Sequence, residues 1–143
     1  MTTPESEADK EASRAPERIG ELSQRAVIAH GEPVDQTTIS TWRQALRLHG
    51  PAFLAYLSIP GIDATSETIA DQFVDDHRGT YPDLRTLCEE VIDELGWNDE
   101  LAHLENVSVL RDFIVWDYAA LTEYIREVVH LVEIDGRYYT FAR

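Results

Sequence analysis

Between residues 51 and 106 the chain places thirteen acidic residues against two basic ones, Arg78 and Arg85. Two arginines cannot pair thirteen carboxylates, and an ionised carboxylate left unpaired in a protein interior is heavily penalised. Whatever this stretch folds into must therefore keep nearly all of its acids in water. Its apolar residues recur at spacings of three and four, which predicts amphipathic helices with one dry and one wet face. The whole chain of 143 residues carries a net charge of −15, and thirteen acids against two bases place −11 of it in this segment. A surface of that sign excludes nucleic acid as a backbone-bound partner. A single cysteine excludes a disulfide framework and any cysteine-rich metal site. The apolar runs are too short to span a bilayer and the opening residues lack a signal-peptide core. A cytoplasmic protein with no membrane partner is expected.

The chain reads as three regions. Residues 1–15 are polar, without period, and are expected to form a disordered tail. Residues 16–50 form an N-terminal helical segment. Its first helix runs from Pro16 to about His30 on Ile19, Leu22, Ala26, Val27 and Ile28, and Gly31 and Pro33 end it. Its second, capped by Thr38, carries Ile39, Trp42, Ala45, Leu46 and Leu48 and stops at Gly50. Residues 51–143 begin with a short apolar helix, 51–58. Ser66 caps a helix over 67–77 with Ile69, Ala70, Phe73 and Val74 inward, and 78–82 is a loop. Asp83 caps the clearest helix, 84–95, which Gly96 ends. A short helix over 98–105 is anchored by Trp97, Leu101 and Leu104. One helical turn spans 107–113, and a helix capped by Asp117 runs to Val128 with Leu121, Ile125 and Val128 buried. The period then changes to that of strands. Asp135-Gly136 between two apolar runs, 130–134 and 137–141, predicts a two-residue hairpin. The fold class is α+β, predominantly helical, ending in a C-terminal β-hairpin.

On a helical wheel, Leu84, Leu87, Cys88, Val91, Ile92 and Leu95 fill one side of helix 84–95. Asp83, Glu89, Glu90, Asp93 and Glu94 fill the other, with Arg85 at the border. On the helix before it, Glu67, Asp71 and Asp75 line up at i, i+4 and i+8, with Asp76 beside them. Asp99 and Glu100 extend the acidic set. Like charges at i, i+4 repel by about 0.2–0.5 kcal/mol each, and Asp93 and Glu94 occupy a last turn where the helix dipole favours a cation. Lysines would relieve both costs without loss of solubility. The pattern suits a surface built to oppose a basic one, and rigid carboxylate rows on helices can approach the charge density of duplex DNA.

No metal or cofactor is expected. The run Asp75-Asp76-His77 sends its side chains in different directions, and no second cluster has ligand spacing. Cys88 falls on a buried stripe, which suits an inert core thiol. Trp42, Trp97 and Trp116 read as core or interface anchors. Arg43 and Arg47 share one helix face within residues 19–50, where the net charge is zero. This helical pair could give an alternative function: a mobile-element regulatory or adaptor protein that binds DNA or a protein partner through it.

The stretch from Phe73 to Leu84 (FVDDHRGTYPDL), followed by the acidic helix, resembles the antirestriction protein ArdA family. The upstream run 52–57 (AFLAYL), the downstream run 113–121 (FIVWDYAAL) and the ending 132–141 (VEIDGRYYTF) are similar to that family's segments in the same order. The likeness covers about residues 51–143; the family's N-terminal domain is not recognisable in residues 1–50, and Asp117 follows Trp116 where the family places the acid first. The resemblance implies a non-enzymatic DNA mimic, often dimeric, that occupies the DNA-binding site of a type I restriction–modification enzyme. On that reading Glu67, Asp71, Asp75, Asp76, Asp83, Glu89, Glu90, Asp93, Glu94, Asp99 and Glu100 form the partner-binding surface.

Overall fold

The structure is a computed structural model that describes residues 15–103 and 107–143. The tail expected before Ala15 and the anchor expected at Leu104 lie outside the described residues, as do the side chains of Val27 and Ile28. The chain is mostly helical with one small three-stranded antiparallel sheet towards its C-terminal end, the α+β class its periodicity implies. Contacts divide it after Arg78 into two compact units.

The first unit contains α1 (Ala15–His30), α2 (Gln36–His49), α3 (Pro51–Leu57) and α4 (Ile69–Asp76). Helix α1 buries Ile19, Leu22 and Ala26, and α2 buries Trp42, Ala45 and Leu46, each at the three- and four-residue spacing of one helical face. Leu48, expected on that face of α2, is 67% exposed. The cap of α2 is Asp35, not Thr38. Asp35 holds extended backbone and its carboxylate accepts the Thr38 N–H at 2.8 Å, so Thr38 is the donor that the cap satisfies. These hydrogen bonds hold the Asp35 carboxyl below its ordinary pKa. At Gly50 a positive φ of 62° turns the chain, its N–H bonds back to Leu46 O at 2.9 Å, and Pro51 starts α3. Residues 50–51 are thus a tight corner between helices of one unit. Helix α3 buries Ala52, Phe53, Ala55, Tyr56 and Leu57.

Helix α4 begins at Ile69, two residues later than expected. Ser66 does not cap it: the Ser66 hydroxyl accepts from Thr68 N–H at 3.3 Å and from the Gln72 side chain Nε2 at 3.1 Å, not from a backbone N–H of the helix. With two turns, α4 buries only Ile69 and Phe73, and Val74, expected inward, is 60% exposed. The Phe73 ring is the hub of an aromatic cluster, with centroids 4.6 Å from His49, 5.8 Å from Phe53, 5.7 Å from Tyr56 and 5.1 Å from His77. Burial also pushes the His49 pKa down.

Residues 78–82, expected as a loop, hold most of a strand, β1 (His77–Tyr81). The α4 helix ends as His77 turns to extended backbone, and burial then alternates along the strand. The signal was hidden because the strand is short, contains Gly79 and pairs with a partner far along the sequence. A Cβ at Gly79 would lie 2.5 Å from the Tyr81 hydroxyl, so the glycine makes room for the folded-back tyrosine ring.

The second unit continues with α5 (Leu84–Glu94), α6 (Trp97–His103), α7 (Val107–Leu110), a 3₁₀ turn (Arg111–Phe113), α8 (Tyr118–Val128), β2 (Val129–Ile134) and β3 (Arg137–Ala142). Asp135 and Gly136 adopt φ of 51° and 80°, the left-handed pair that a tight two-residue hairpin requires. The strand order is β1-β3-β2, so the hairpin expected from the sequence gains a third strand against β3. Leu87, Cys88 and Ile92 of α5 pack on Leu121 and Ile125 of α8. Leu95 and Val128, expected on the buried stripes, are 44% and 49% exposed because each lies at its helix end. No helix among the described residues is long and apolar enough to cross a membrane.

Candidate functional site

The acidic surface of the second unit is built on α5. Asp83 caps the helix as expected, accepting the Thr86 N–H at 2.7 Å, and that bond holds its carboxyl below the ordinary aspartate value. Because the folded-state pKa is depressed, the cap's contribution to stability is present above the unfolded value of 3.8 and is lost as pH falls through the folded one. Asp83→Ala should therefore lower the urea midpoint at pH 7, with the difference from the parent shrinking below pH 4, whereas Asp83→Asn keeps most of the cap. Urea melts at pH 7 and pH 3 check this.

Beyond the cap, Leu87, Cys88 and Ile92 are buried, while Glu89, Glu90, Asp93 and Glu94 are exposed. The core thus holds one face in place and aims the carboxylates outward. They are not equivalent. Arg85 Nε donates to Glu89 Oε1 at 3.1 Å, and its guanidinium lies 5.5 Å from the centre of the Tyr118 ring. The border arginine is therefore drawn onto the acidic face and neutralises Glu89, an i, i+4 pairing whose spacing is visible in the sequence. Asn98 Nδ2 donates to Asp93 Oδ1 at 3.1 Å. The Tyr81 phenol is pushed up to about 12, chiefly by burial and then by hydrogen bonding to Glu90. Glu94 stands in a last turn with no basic residue. Asp99 and Glu100 follow in the first turn of α6, where the helix dipole favours them.

In the first unit, Asp71 and Asp75 are exposed on α4. Glu67 is exposed but precedes the helix, so the expected i, i+4, i+8 row keeps two members on α4. Asp76 is half-buried and accepts a 2.6 Å hydrogen bond from the Tyr56 hydroxyl. Burial, then that bond, pushes the tyrosine pKa up. Asp76 is thus a structural acceptor for α3 more than an outward charge. Among the described residues, Glu67, Asp71, Asp75, Glu94, Asp99 and Glu100 accept no side-chain hydrogen bond or ion pair and keep full acceptor capacity.

Within each unit the described carboxylates are spread out and can meet cations over a surface. No group of three or more His, Cys, Asp or Glu that could hold a metal occurs among the described residues. Cys88 is fully buried, with its sulfur 3.5 Å from the Thr122 hydroxyl, as a core thiol should be. Trp42 is a core anchor whose Nε1 donates to Ala64 O at 2.7 Å.

One feature had no place in the acidic pattern. Trp97 and Trp116 stack with centroids 5.9 Å apart and planes 21° apart, and with Glu100 and Leu101 they line a cleft of about 440 Å³. The two tryptophans are legible as anchors, but nothing in their spacing of nineteen residues shows that they meet. Compared with protein-family models, curated proteins and solved structures, the chain matches none.

Proposed function

We infer that this protein is a non-catalytic DNA mimic that inhibits a type I restriction–modification enzyme by occupying its DNA-binding site from a cytoplasmic location. The observation that supports the reading most is α5 itself: a buried apolar stripe behind an outward acidic face whose last turn carries no cation. Eleven helical residues extend about 16 Å. Counted from the Asp83 cap, Asp83, Glu89, Glu90, Asp93 and Glu94, less the neutralising Arg85, give roughly one charge per 4.5 Å, against about 3.4 Å along one DNA strand. Two arguments favour a binding role over plain solvation. The face accepts like-charge repulsion at Glu90/Glu94. It also places Asp93 and Glu94 at the unfavourable end of the helix dipole.

The ArdA resemblance over residues 51–143 names the target class, the methyltransferase core of a type I enzyme, and a homodimer as the assembly. The test is competition. The purified protein should displace a labelled duplex from that core at 50 mM salt and lose most of its effect at 0.3 M, as charge-dominated association does. It should leave promoter DNA unshifted in a gel assay. Failure to displace the duplex at low salt would sink the reading, and a specific gel shift would favour the regulator that uses Arg43 and Arg47, both exposed on α2.

A further inference from the structure

The second unit carries a surface that charge mimicry leaves unused. Six of its large apolar side chains are exposed between residues 95 and 115: Leu95, Val109, Leu110, Phe113, Ile114 and Val115, with Phe113 at 81% and Val115 at 84%. Phe113, Ile114 and Val115 lead directly into Trp116, which stacks on Trp97 to wall the cleft shared with Glu100 and Leu101. The indoles also pack against the core cluster of the unit, so the cleft is backed by fixed structure. Exposed apolar groups gathered this way mark interaction sites rather than ordinary surface, and tryptophan is the residue type that most often anchors them.

The same segment fixes the sign of the occupant. Asp99, Glu100, Asp112 and Asp117, next in sequence to the cleft walls and the exposed apolar run, are exposed acids, and Glu100 itself lines the cleft. A second copy would bring the same excess of negative charge onto this face, a like-charge juxtaposition that disfavours pairing. Residues 1–14 offer almost no large apolar side chain after Met1, so they supply little with which to fill an apolar cleft. We propose that the Trp97–Trp116 cleft and the 109–115 apolar rim form a docking surface for a basic amphipathic helix of a partner protein. Apolar residues of that helix fill the cleft, and an arginine or lysine lays its stem along an indole and its head on Glu100. This surface shares Glu100 with the acidic set but is otherwise distinct from the acidic face of α5, and stands whichever basic surface that face opposes.

Two probes separate the surfaces: a labelled leucine/lysine/arginine helical peptide of about 18 residues, and an oligolysine of equal charge. Trp42 is fully buried in the other unit, so a change in tryptophan emission on binding reports Trp97 and Trp116. The amphipathic peptide should shift that emission to the blue and bind about tenfold more tightly than oligolysine at 0.15 M salt. Phe113→Ser/Val115→Ser removes two side chains that the fold leaves in water. It should weaken the amphipathic peptide about tenfold and leave oligolysine binding unchanged. Glu100→Lys should weaken the amphipathic peptide as well. Equal affinity for the two probes overturns the proposal, and so does an amphipathic peptide indifferent to the double variant. Dimerisation of the protein alone that the double variant abolishes also overturns it, in favour of a second copy. Oligolysine reads the acidic face by itself, so a failure of the mimic reading stays distinguishable.

Discussion

Phe73→Ala is expected to destabilise the first unit by about 3–5 kcal/mol, the usual range for deleting a buried phenylalanine ring. The ring is 2% exposed and touches four others, from His49, Phe53, Tyr56 and His77. No neighbour can collapse into the space without leaving its own contact, so the cavity term should be close to its full size. Helix α4 buries only Ile69 and Phe73 and is otherwise tied to α3 by the Asp76–Tyr56 hydrogen bond, so losing one of the two apolar anchors leaves an eight-residue helix weakly held. Chemical denaturation followed by far-UV circular dichroism checks this. Phe73→Leu, which keeps much of the volume, should cost less than half as much. A loss under about 1 kcal/mol for the alanine variant would mean that the aromatic cluster is not the hub of the unit.

The second large effect concerns the acids that accept no hydrogen bond. Reversing Glu67, Asp71, Asp75, Glu94 and Asp99 to lysine should weaken inhibition by roughly a hundredfold at low salt, since each reversal exchanges one weak surface attraction for a repulsion and the factors multiply. All five are exposed, so the fold should survive. Glu94→Lys is the most informative single change. It places a cation in the last turn of α5, where the dipole favours it, and so should stabilise the free protein slightly while weakening inhibition. A face selected only for solvation would show the first effect without the second. Reversing Glu67, Asp71 and Asp75 separately from Glu94 and Asp99 then reports which unit the target engages. Asp71 lies in the first turn of α4, so Asp71→Asn is the control for any loss of helix there.

Most helices were legible because their apolar residues repeat at helical spacing and their ends carry strong signals. Asp83 and Asp117 cap as expected, and Asp135-Gly136 makes its turn. The two misread caps share a physical origin in competition between local partners. Thr38 and Asp35 both suit a cap, and the carboxylate takes the role. Ser66 found Thr68 and Gln72 before any helix end. Strand β1 depends on β3, which no local pattern announces. The acidic residues were legible as a set, but their division into engaged and unengaged groups was not. Tyr56 meets Asp76 across twenty residues, and only the fold reveals that pairing.

The strand order β1-β3-β2 has a consequence for how the molecule is made. The central strand of the sheet is the last of the three to leave the ribosome. Until it emerges, β1 and β2 each lack their neighbour, although helices α5 to α8 are already synthesised. Helical segments can begin to form locally during translation, but the sheet cannot be completed before its final strand emerges. A stop at codon 137 would therefore delete the middle strand of the sheet and leave both outer strands without their partner.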